Sequence, residues 1–223
     1  MKTYIIIPAY NEEKTIAKVI KDLKKNKYEN IIIIDDGSKD KTYEVAKKSG
    51  ANVIKHIINR GQGAALKTGF DYALNKKADI VITFDADGQH LASEIKKIIA
   101  PVSNNSVDVA LGSRFLKKIK MPLIRKIFLK GGALIFLIMY GIKLTDSHNG
   151  FRAISKKALQ KMDLKTDGME HASEIIEEIA KKKIRFKEIP VTILYTDYSK
   201  AKGQSTWNAF SIFFRMIFKK LIN

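Results

Sequence analysis

Two aspartates separated by one residue are the strongest candidates for metal chemistry in this sequence. Asp85 and Asp87 follow an apolar run, and Gln89 comes two positions later. If the chain remains extended there, both carboxylates point the same way, and Gln89 can add a neutral oxygen. An oxygen-only set favours Mg²⁺ or Mn²⁺ over zinc, and the four histidines of the chain are scattered. A cation held there would neutralise charge on a diphosphate leaving group.

Similar polar segments come directly after three other apolar runs. They are Pro8–Glu12, Asp35–Ser38 and Gly112–Arg114. Because ligands bind beyond the carboxyl ends of the strands in open α/β sheets, we expect all four segments on one rim. Any one of them could be structural, since Asn11 and Ser38 are good helix caps and Asp-Gly pairs are common in turns. Their joint placement nevertheless predicts a binding site.

The elements that must position these segments alternate between strand and helix. Apolar runs predict strands at Thr3–Ala9, Ile31–Ile34, Asn52–His56, Ile80–Phe84 and Val107–Leu111. Capping residues and apolar periodicity predict helices that start at Asn11, at Ser38 or Asp40, and over Gly63–Leu74 and Ser93–Ile99. Repeated βα units of this length imply a mostly parallel sheet with right-handed crossovers. The 223 residues suffice for one α/β core.

The second half of the chain is less regular. Residues 170–182 are predicted as an amphipathic helix, and Ile184–Tyr195 as a strand that Pro190 places near a sheet edge. Residues 127–144 are apolar, but lysines leave an uncharged stretch too short to span a bilayer. Residues 207–222 are predicted as a helix with a wide apolar face. We expect both segments to lie in a membrane interface; packing on the core or on a second copy is the alternative.

The charge of the chain is strongly positive. It has 41 lysines and arginines against 23 acidic residues, a formal net charge of +18. Such an excess favours nucleic acid, an anionic lipid surface or a phosphorylated substrate as partner. Nucleic acid is not expected, because the strand ends are acidic and no nucleic-acid-binding module is recognisable. The absence of cysteine and of a leader pattern after Met1 indicates a reducing compartment and no cleaved signal peptide.

A glycine pair follows the third predicted strand. Gly61-Gln62-Gly63 lacks the third glycine and the acidic ribose ligand of a dinucleotide-binding fold, so we exclude that function. We expect instead a tight turn that lets the backbone approach a nucleotide. The lysine-containing phosphate loop of P-loop proteins is also absent from the sequence.

Five short motifs occur in order along the chain. They are Pro8-Ala9-Tyr10-Asn11-Glu12, Asp35-Asp36-Gly37-Ser38, Asp85-Ala86-Asp87-Gly88-Gln89-His90, Gly112-Ser113-Arg114 and Asn149-Gly150-Phe151-Arg152. In this order and spacing the set resembles glycosyltransferase family 2. It is most similar to the dolichyl- or polyprenyl-phosphate sugar synthases, the group that includes dolichyl-phosphate mannose synthase. The resemblance covers residues 1–205.

The resemblance implies a fold, a reaction and a set of site residues. The fold would be GT-A over residues 1–205, with a membrane-facing acceptor segment at 115–145. Residues 206–223, beyond the resemblance, are predicted from their own pattern as a C-terminal amphipathic helix. The reaction would be an inverting, metal-dependent transfer of a hexose from a UDP- or GDP-linked donor to a polyprenyl or dolichyl phosphate. The matching donor-binding residues are Pro8, Tyr10, Glu12, Asp36, Asp85, Gln89 and Lys202. The metal ligands would be Asp85, Asp87 and Gln89, and the catalytic and acceptor residues Asp87, Arg114, Arg125 and Asp146.

The acceptor is where alternatives remain. A phosphate is ionised at neutral pH, so it needs arginines to position it rather than a strong general base. The alternative is a family member with a saccharide or protein hydroxyl as acceptor, for which Asp146 is the candidate base. A nucleotidyltransferase is not expected, because a glycine-rich loop after the first strand is absent. We interpret Arg152 as a structural arginine paired with a carboxylate. The predicted location is the cytoplasmic face of a membrane, attached peripherally.

Overall fold

Seven strands form one mixed sheet in the part of the chain that the structure, a computed structural model, describes: residues 1–117, 131, 134 and 136–194. The strands are β1 (Thr3–Ala9), β2 (Ile31–Asp35), β3 (Asn52–Lys55), β4 (Ile80–Thr83), β5 (Val109–Ser113), β6 (Arg152–Ser155) and β7 (Phe186–Pro190). The helices are α1 (Ile16–Lys25), α2 (Thr42–Lys48), α3 (Gln62–Asn75), α4 (Ile95–Ser103), α5 (Lys156–Lys161) and α6 (His171–Lys181). A 3₁₀ turn at Ala92–Glu94 precedes α4, and residues 136–140 are helical.

The strand order is β3-β2-β1-β4-β6-β5-β7. The pairs β1–β2, β1–β4, β2–β3 and β5–β7 are parallel, as predicted, and β6 is antiparallel to both β4 and β5. The sequence analysis missed β6, a four-residue strand that begins with an arginine. Because β6 runs the opposite way, the residues that precede it lie at the carboxyl ends of β4 and β5. This single reversal brings the Asn149-Gly150-Phe151 motif to the rim.

Apolar side chains alternate between the two faces of the central strands. Ile5 and Ile7 of β1 pack with α1 and α4, whereas Tyr4 and Ile6 pack with α3 and α6. The period of two along a strand sends successive side chains to opposite faces, and both faces are covered here. The continuous apolar runs predicted as buried strands are therefore needed to fill two cores. Every residue of β2 and β4 is buried.

The predicted helix starts at Asn11 and at Ser38 are wrong, whereas Asp40, the other candidate, accepts the Thr42 N–H at the start of α2 at 3.0 Å. Asn11 does not cap α1: it has a positive φ of 53°, its Oδ1 accepts a hydrogen bond from the Lys39 N–H, and α1 begins only at Ile16. The Ser38 hydroxyl accepts from the Asn11 N–H at 2.9 Å, and α2 begins at Thr42. The reason is that the loops after β1 and β2 bond to each other before either helix starts.

Other elements differ from the prediction only at their ends. Helix α6 is confirmed, and β7 is the edge strand that Pro190 indicated, although it ends at that proline instead of continuing to Tyr195. Helix α4 begins at Ile95 rather than at Ser93 and continues through Pro101.

The two predicted interfacial segments are described only in part or not at all. Leu134, Leu137 and Ile138 are exposed at 55%, 42% and 74% of their surface. Within the described residues, no helix has both the length and the apolar composition to cross a bilayer. Residues 118–130 and 195–223, which include Arg125, Lys202 and the predicted helix at 207–222, lie outside the described residues.

Candidate active site

Asp85 lies just beyond β4 and is held by a histidine from its own loop. His90 Nε2 donates to Asp85 Oδ2 at 2.9 Å, and the His90 ring packs against Phe84 and Phe151 at centroid distances of 5.3 and 5.0 Å. The amide of Gln62 donates to Asp85 Oδ1 at 3.5 Å. Burial raises the pKa of Asp85, but the nearby His90, His171 and Arg152 outweigh it, so the pKa lies below its ordinary value. Asp85 is therefore a fixed, ionised carboxylate.

Asp87 has the opposite character. Burial first, and then the charge of Asp85, raise the pKa of Asp87 to about 6. Its Oδ1 accepts the Gln89 N–H at 2.9 Å, and Glu12 also contributes a repulsive charge. A cation bound between two carboxylates reduces the electrostatic repulsion between them.

The residues around this pair fit Mg²⁺ or Mn²⁺. No cluster of three or more histidine, cysteine or acidic side chains suited to a metal occurs in the described part of the chain. Mg²⁺ does not require such a cluster, because it is commonly bound by one or two carboxylates together with substrate phosphates. Asp85, Asp87 and the side-chain oxygen of Gln89 could supply the protein ligands of such a site, and the substrate phosphates the others.

Gly150 gives Asp85 its space. A β-carbon at residue 150 would lie 2.7 Å from each carboxylate oxygen of Asp85. Real Cβ atoms essentially never make contacts that short, so any side chain at this position would displace the carboxylate. The Asn-Gly-Phe-Arg motif thus lies against the Asp85 carboxylate, a contact that its position far along the sequence did not reveal.

Asp36 is buried and fully engaged with the loop after β3. Its Oδ1 accepts from His56 Nδ1 at 2.7 Å and from the Arg60 N–H at 3.1 Å, and its Oδ2 accepts from the Gly61 N–H at 2.7 Å. His56 also contacts the Thr68 hydroxyl, at 2.9 Å. In the structure Asp36 therefore shapes the loop that flanks the ends of β2 and β3.

The glycines of that loop lie close to the backbone of the segment before α6. A β-carbon at Gly61 would lie 2.3 Å from the Asp167 carbonyl oxygen, and one at Gly63 would lie 2.3 Å from that of Thr166. The Asp167 carbonyl also accepts the Ala64 N–H at 3.1 Å. The segment before α6 thus packs on the first turn of α3, and only glycine leaves room for it.

The remaining residues predicted to bind the donor surround the end of β1. Pro8 pairs with Ile34 across β1 and β2 and is partly buried, and Tyr10 is 38% exposed. Glu12 is buried, and its Oε2 accepts from the Thr15 hydroxyl at 2.9 Å. The charge of Glu12 helps to raise the pKa of Asp87, so Glu12 lies near the aspartate pair.

Arg114 and Asp146 form a buried ion pair on the other side of the rim. Asp146 Oδ2 accepts from Arg114 Nε at 2.7 Å and from the Arg114 N–H at 3.1 Å. Both side chains are almost fully buried. The two residues are 32 positions apart, so no local pattern indicates that they contact each other.

Glu188 is a site residue that the sequence analysis missed. It lies in β7, and its carboxylate accepts from the N–H groups of Thr145 and Asp146 at 2.9 and 3.0 Å. Burial raises the pKa of the Glu188 carboxyl, against the effect of these hydrogen bonds. Its partners are 42 and 43 residues away, so no local pattern could identify it.

Arg152 is structural, as expected, but its partners are not carboxylates. Its Nε donates to the Asn149 carbonyl at 3.1 Å and its Nη2 to the Ala172 carbonyl at 3.4 Å. No carboxylate of the described residues lies within ion-pair distance of it, and burial lowers its pKa to about 10. Asp85 and Asp146 act on it through space, in the direction that favours its charge.

Comparison with known proteins agrees with this geometry. Residues 4–163 match the family described as glycosyl transferase family 2. The chain belongs to this family. Family 2 membership confirms the resemblance seen in the five motifs, all of which lie within the matched residues.

Relatives of high similarity occur in archaea. The chain is 44% identical to an uncharacterized protein of Methanocaldococcus jannaschii, with 98% of this chain and 92% of the relative covered. It is 40% identical to the UDP-N-acetylglucosamine–dolichyl-phosphate N-acetylglucosaminyltransferase of Methanococcus voltae, with 98% and 96% covered.

The fold also matches a solved structure. Glucosyl-3-phosphoglycerate synthase of Mycobacterium tuberculosis, solved with Mn²⁺, UDP-glucose and phosphoglyceric acid, superimposes with a TM-score of 0.72. The match covers 95% of this chain and 75% of the synthase at 17% identity. The predicted GT-A fold of this family 2 protein is confirmed.

Proposed function

We propose that this family 2 protein transfers a hexose from a nucleoside-diphosphate sugar to a dolichyl or polyprenyl phosphate, with inversion at the anomeric carbon. The observation that carries the proposal is the buried Arg114–Asp146 pair, which fixes a guanidinium at the rim that also holds Asp85 and Asp87. A planar guanidinium binds phosphate in a defined orientation. The name of the 40% identical Methanococcus voltae relative supports the same class of acceptor and a UDP-linked donor.

The donor would bind across the ends of β1, β2 and β4. In the proposal Pro8, Tyr10, Glu12 and Asp36 hold the nucleoside, with Asp36 acting through the loop that it orders. Mg²⁺ or Mn²⁺, when bound by Asp85, Asp87 and Gln89, neutralises charge on the nucleoside diphosphate as it leaves. Lys202, outside the described residues, is proposed to close over the donor.

The acceptor phosphate would bind opposite the donor. Arg114, together with Arg125 outside the described residues, would hold it against repulsion from the donor diphosphate. The phosphate oxygen is already ionised, so attack on the anomeric carbon needs no protein base. Asp146 Oδ2 is occupied by two hydrogen bonds from Arg114, which suits a residue that positions the arginine rather than one that accepts a proton.

Membrane attachment is part of the proposal, on the cytoplasmic face. Leu134, Leu137 and Ile138 expose apolar surface in and beside the helical residues 136–140. Apolar side chains with lysines in the same segment suit the interface of an anionic bilayer. We assign residues 1–205 to the catalytic domain, with the acceptor segment at 115–145, and residues 206–223 to an amphipathic helix.

The experiment that tests the function is a transfer assay with a panel of labelled donors. UDP- and GDP-sugars, UDP-N-acetylglucosamine among them, are offered with dolichyl or undecaprenyl phosphate and Mg²⁺ or Mn²⁺. Label that enters the lipid from one donor and is lost on adding EDTA supports the proposal. Metal-dependent hydrolysis of the donor without transfer to any lipid phosphate would overturn the acceptor assignment. Transfer to a saccharide or peptide hydroxyl instead would favour the hydroxyl-acceptor alternative.

A further inference from the structure

One carboxylate on the edge strand collects the hydrogen bonds of a turn at the rim. Glu188 Oε1 and Oε2 each lie 2.9 Å from the Thr145 nitrogen, and Oε1 also accepts from the Thr145 hydroxyl at 3.0 Å and from the Asp146 N–H at 3.0 Å. Two adjacent backbone N–H groups that point at one carboxylate form a tight anion-binding turn. The turn is thereby fastened to β7.

The Thr145 hydroxyl connects the same turn to β5. It donates to Glu188 and therefore accepts from the Ser113 hydroxyl, 2.6 Å away. Ser113 is the last residue of β5 and directly precedes Arg114. The turn is thus held between Ser113 at the end of β5 and Glu188 in the middle of the adjacent parallel strand β7.

From the turn, the contacts continue to the arginine. Asp146 Oδ2 accepts both the N–H and the Nε of Arg114. A shift of the Asp146 backbone would therefore move the carboxylate that sets the direction of the guanidinium. Hydrogen bonds to a charged partner are the strongest of their kind, so this orientation is well defined.

We propose that Glu188 is a positioning residue for the acceptor: it holds the Thr145–Asp146 turn so that Asp146 presents the Arg114 guanidinium to the acceptor phosphate. This inference rests on the proposed function, in which Arg114 holds that phosphate. Glu188 acts through the turn and makes no contact with the reacting atoms. Its removal should affect acceptor binding before it affects donor binding.

A second glutamate in the chain provides a matched control. Glu174 of α6 accepts from the Lys165 N–H at 2.8 Å, the Thr166 N–H at 3.0 Å and the Thr166 hydroxyl. This is the same arrangement, two successive backbone N–H groups and a threonine hydroxyl, in a turn that does not carry Arg114 or Asp146. If Glu188 had only a structural role, substitution of Glu188 and of Glu174 would have the same effect on the acceptor KM.

The test compares Glu188→Gln with Glu174→Gln in the full chain. The lipid phosphate and the nucleotide sugar are varied separately, and the thermal midpoint of each variant is measured. We expect Glu188→Gln to raise the KM for the acceptor about tenfold, the effect of losing one or two hydrogen bonds to the turn. The KM for the donor and the metal-dependent hydrolysis of the donor should stay within about twofold of the wild type. Glu174→Gln should leave the acceptor KM unchanged.

A double variant tests whether Glu188 acts through the arginine. In an Arg114→Ala background, Glu188→Gln should add almost nothing to the acceptor KM, because coupled residues are not additive. If Glu188→Gln does not fold, Thr145→Val removes the two hydroxyl bonds alone and should raise the acceptor KM about threefold.

The possible failures are distinguishable. A wild-type acceptor KM in Glu188→Gln, equal changes in both KM values, or additive effects with Arg114→Ala would overturn the role of Glu188 while the transferase assignment stands. A wild-type protein that transfers sugar to no lipid phosphate would overturn the proposed function and this inference with it.

Discussion

Gly150 and Asp85 lie so close together that a β-carbon at residue 150 would sit 2.7 Å from both oxygens of the carboxylate. The contact joins the loop before β6 to the end of β4, 65 positions earlier in the sequence. Asp85 can occupy its observed position only because residue 150 has no side chain.

Gly150→Ala should therefore lower metal-dependent turnover about 100-fold while the protein still folds. Gly150 has no positive φ, so alanine is acceptable to the backbone and the clash is with Asp85 alone. Displacement of a ligand by about 1 Å costs on the order of 100-fold in rate. The control is Gly168→Ala, whose added carbon meets the flexible carboxylate end of Glu170. Equal rates for Gly150→Ala and the wild type would show that Asp85 does not need its observed position.

Asp87→Asn should raise the thermal stability of the metal-free protein and remove its stabilisation by metal. The variant removes a partly buried charge that Asp85 repels, so the thermal midpoint of the metal-free protein should rise by about 2–4 °C. Addition of Mn²⁺ should stabilise the wild type but not the variant, because the cation then lacks a ligand. Thermal scans with and without Mn²⁺ measure both effects, and the exposed Asp71→Asn serves as control. Full Mn²⁺ stabilisation of Asp87→Asn would exclude Asp87 as a ligand.

His171 should make the protein less stable in mild acid. Burial, and then the charge of Arg152, lower its pKa from 6.5 to about 4 in the folded state. Between these two pH values the unfolded state binds more protons, so stability decreases as the pH falls through this window. The loss should approach about 3 kcal/mol by pH 4.

The variant for this test is His171→Asn, which keeps a donor near the Gly168 carbonyl that His171 Nδ1 contacts at 2.9 Å. Urea unfolding at several pH values between 7 and 4 should give a shallower slope for the variant than for the wild type. Identical slopes would mean that His171 is not held neutral in the fold.

Asp146→Asn should distinguish a positioning role from a chemical one. If Asp146 orients Arg114, the variant should raise the acceptor KM about tenfold, and the pH–rate profile should keep its shape. If Asp146 were the base for a hydroxyl acceptor, turnover would be nearly abolished and the acidic limb of the profile lost. Steady-state kinetics with lipid phosphate from pH 5.5 to 8.5 separates these results.

Leu137 and Ile138 should contribute to vesicle binding. The double change Leu137→Ser and Ile138→Ser removes exposed apolar surface and should reduce the fraction bound to anionic vesicles about tenfold or more. Ile57→Ser is the matched control, since Ile57 is fully exposed on the loop after β3. Flotation with phosphatidylserine vesicles measures the bound fraction. Equal loss in the control and the double variant would contradict a specific membrane-facing segment.

The sequence alone determined the sheet of alternating strands and helices and the rim that carries Asp85, Asp87 and Arg114. These features depend on local patterns: apolar runs, helix periodicity and polar residues at strand ends. The family and the GT-A fold followed from five short motifs in order. Helix starts were less reliable, because Asn11 and Ser38 bond to each other rather than to the helices that follow them.

Only the tertiary structure decided which residues meet across the sheet. The antiparallel strand β6 places Gly150 against Asp85, and the parallel pairing of β5 and β7 brings Glu188 to the turn that carries Asp146. The glycines at 61 and 63 likewise make room for backbone about 100 residues later. Such contacts depend on strand order and register. These determine which side chains meet, but they produce no pattern in the neighbouring residues of the sequence.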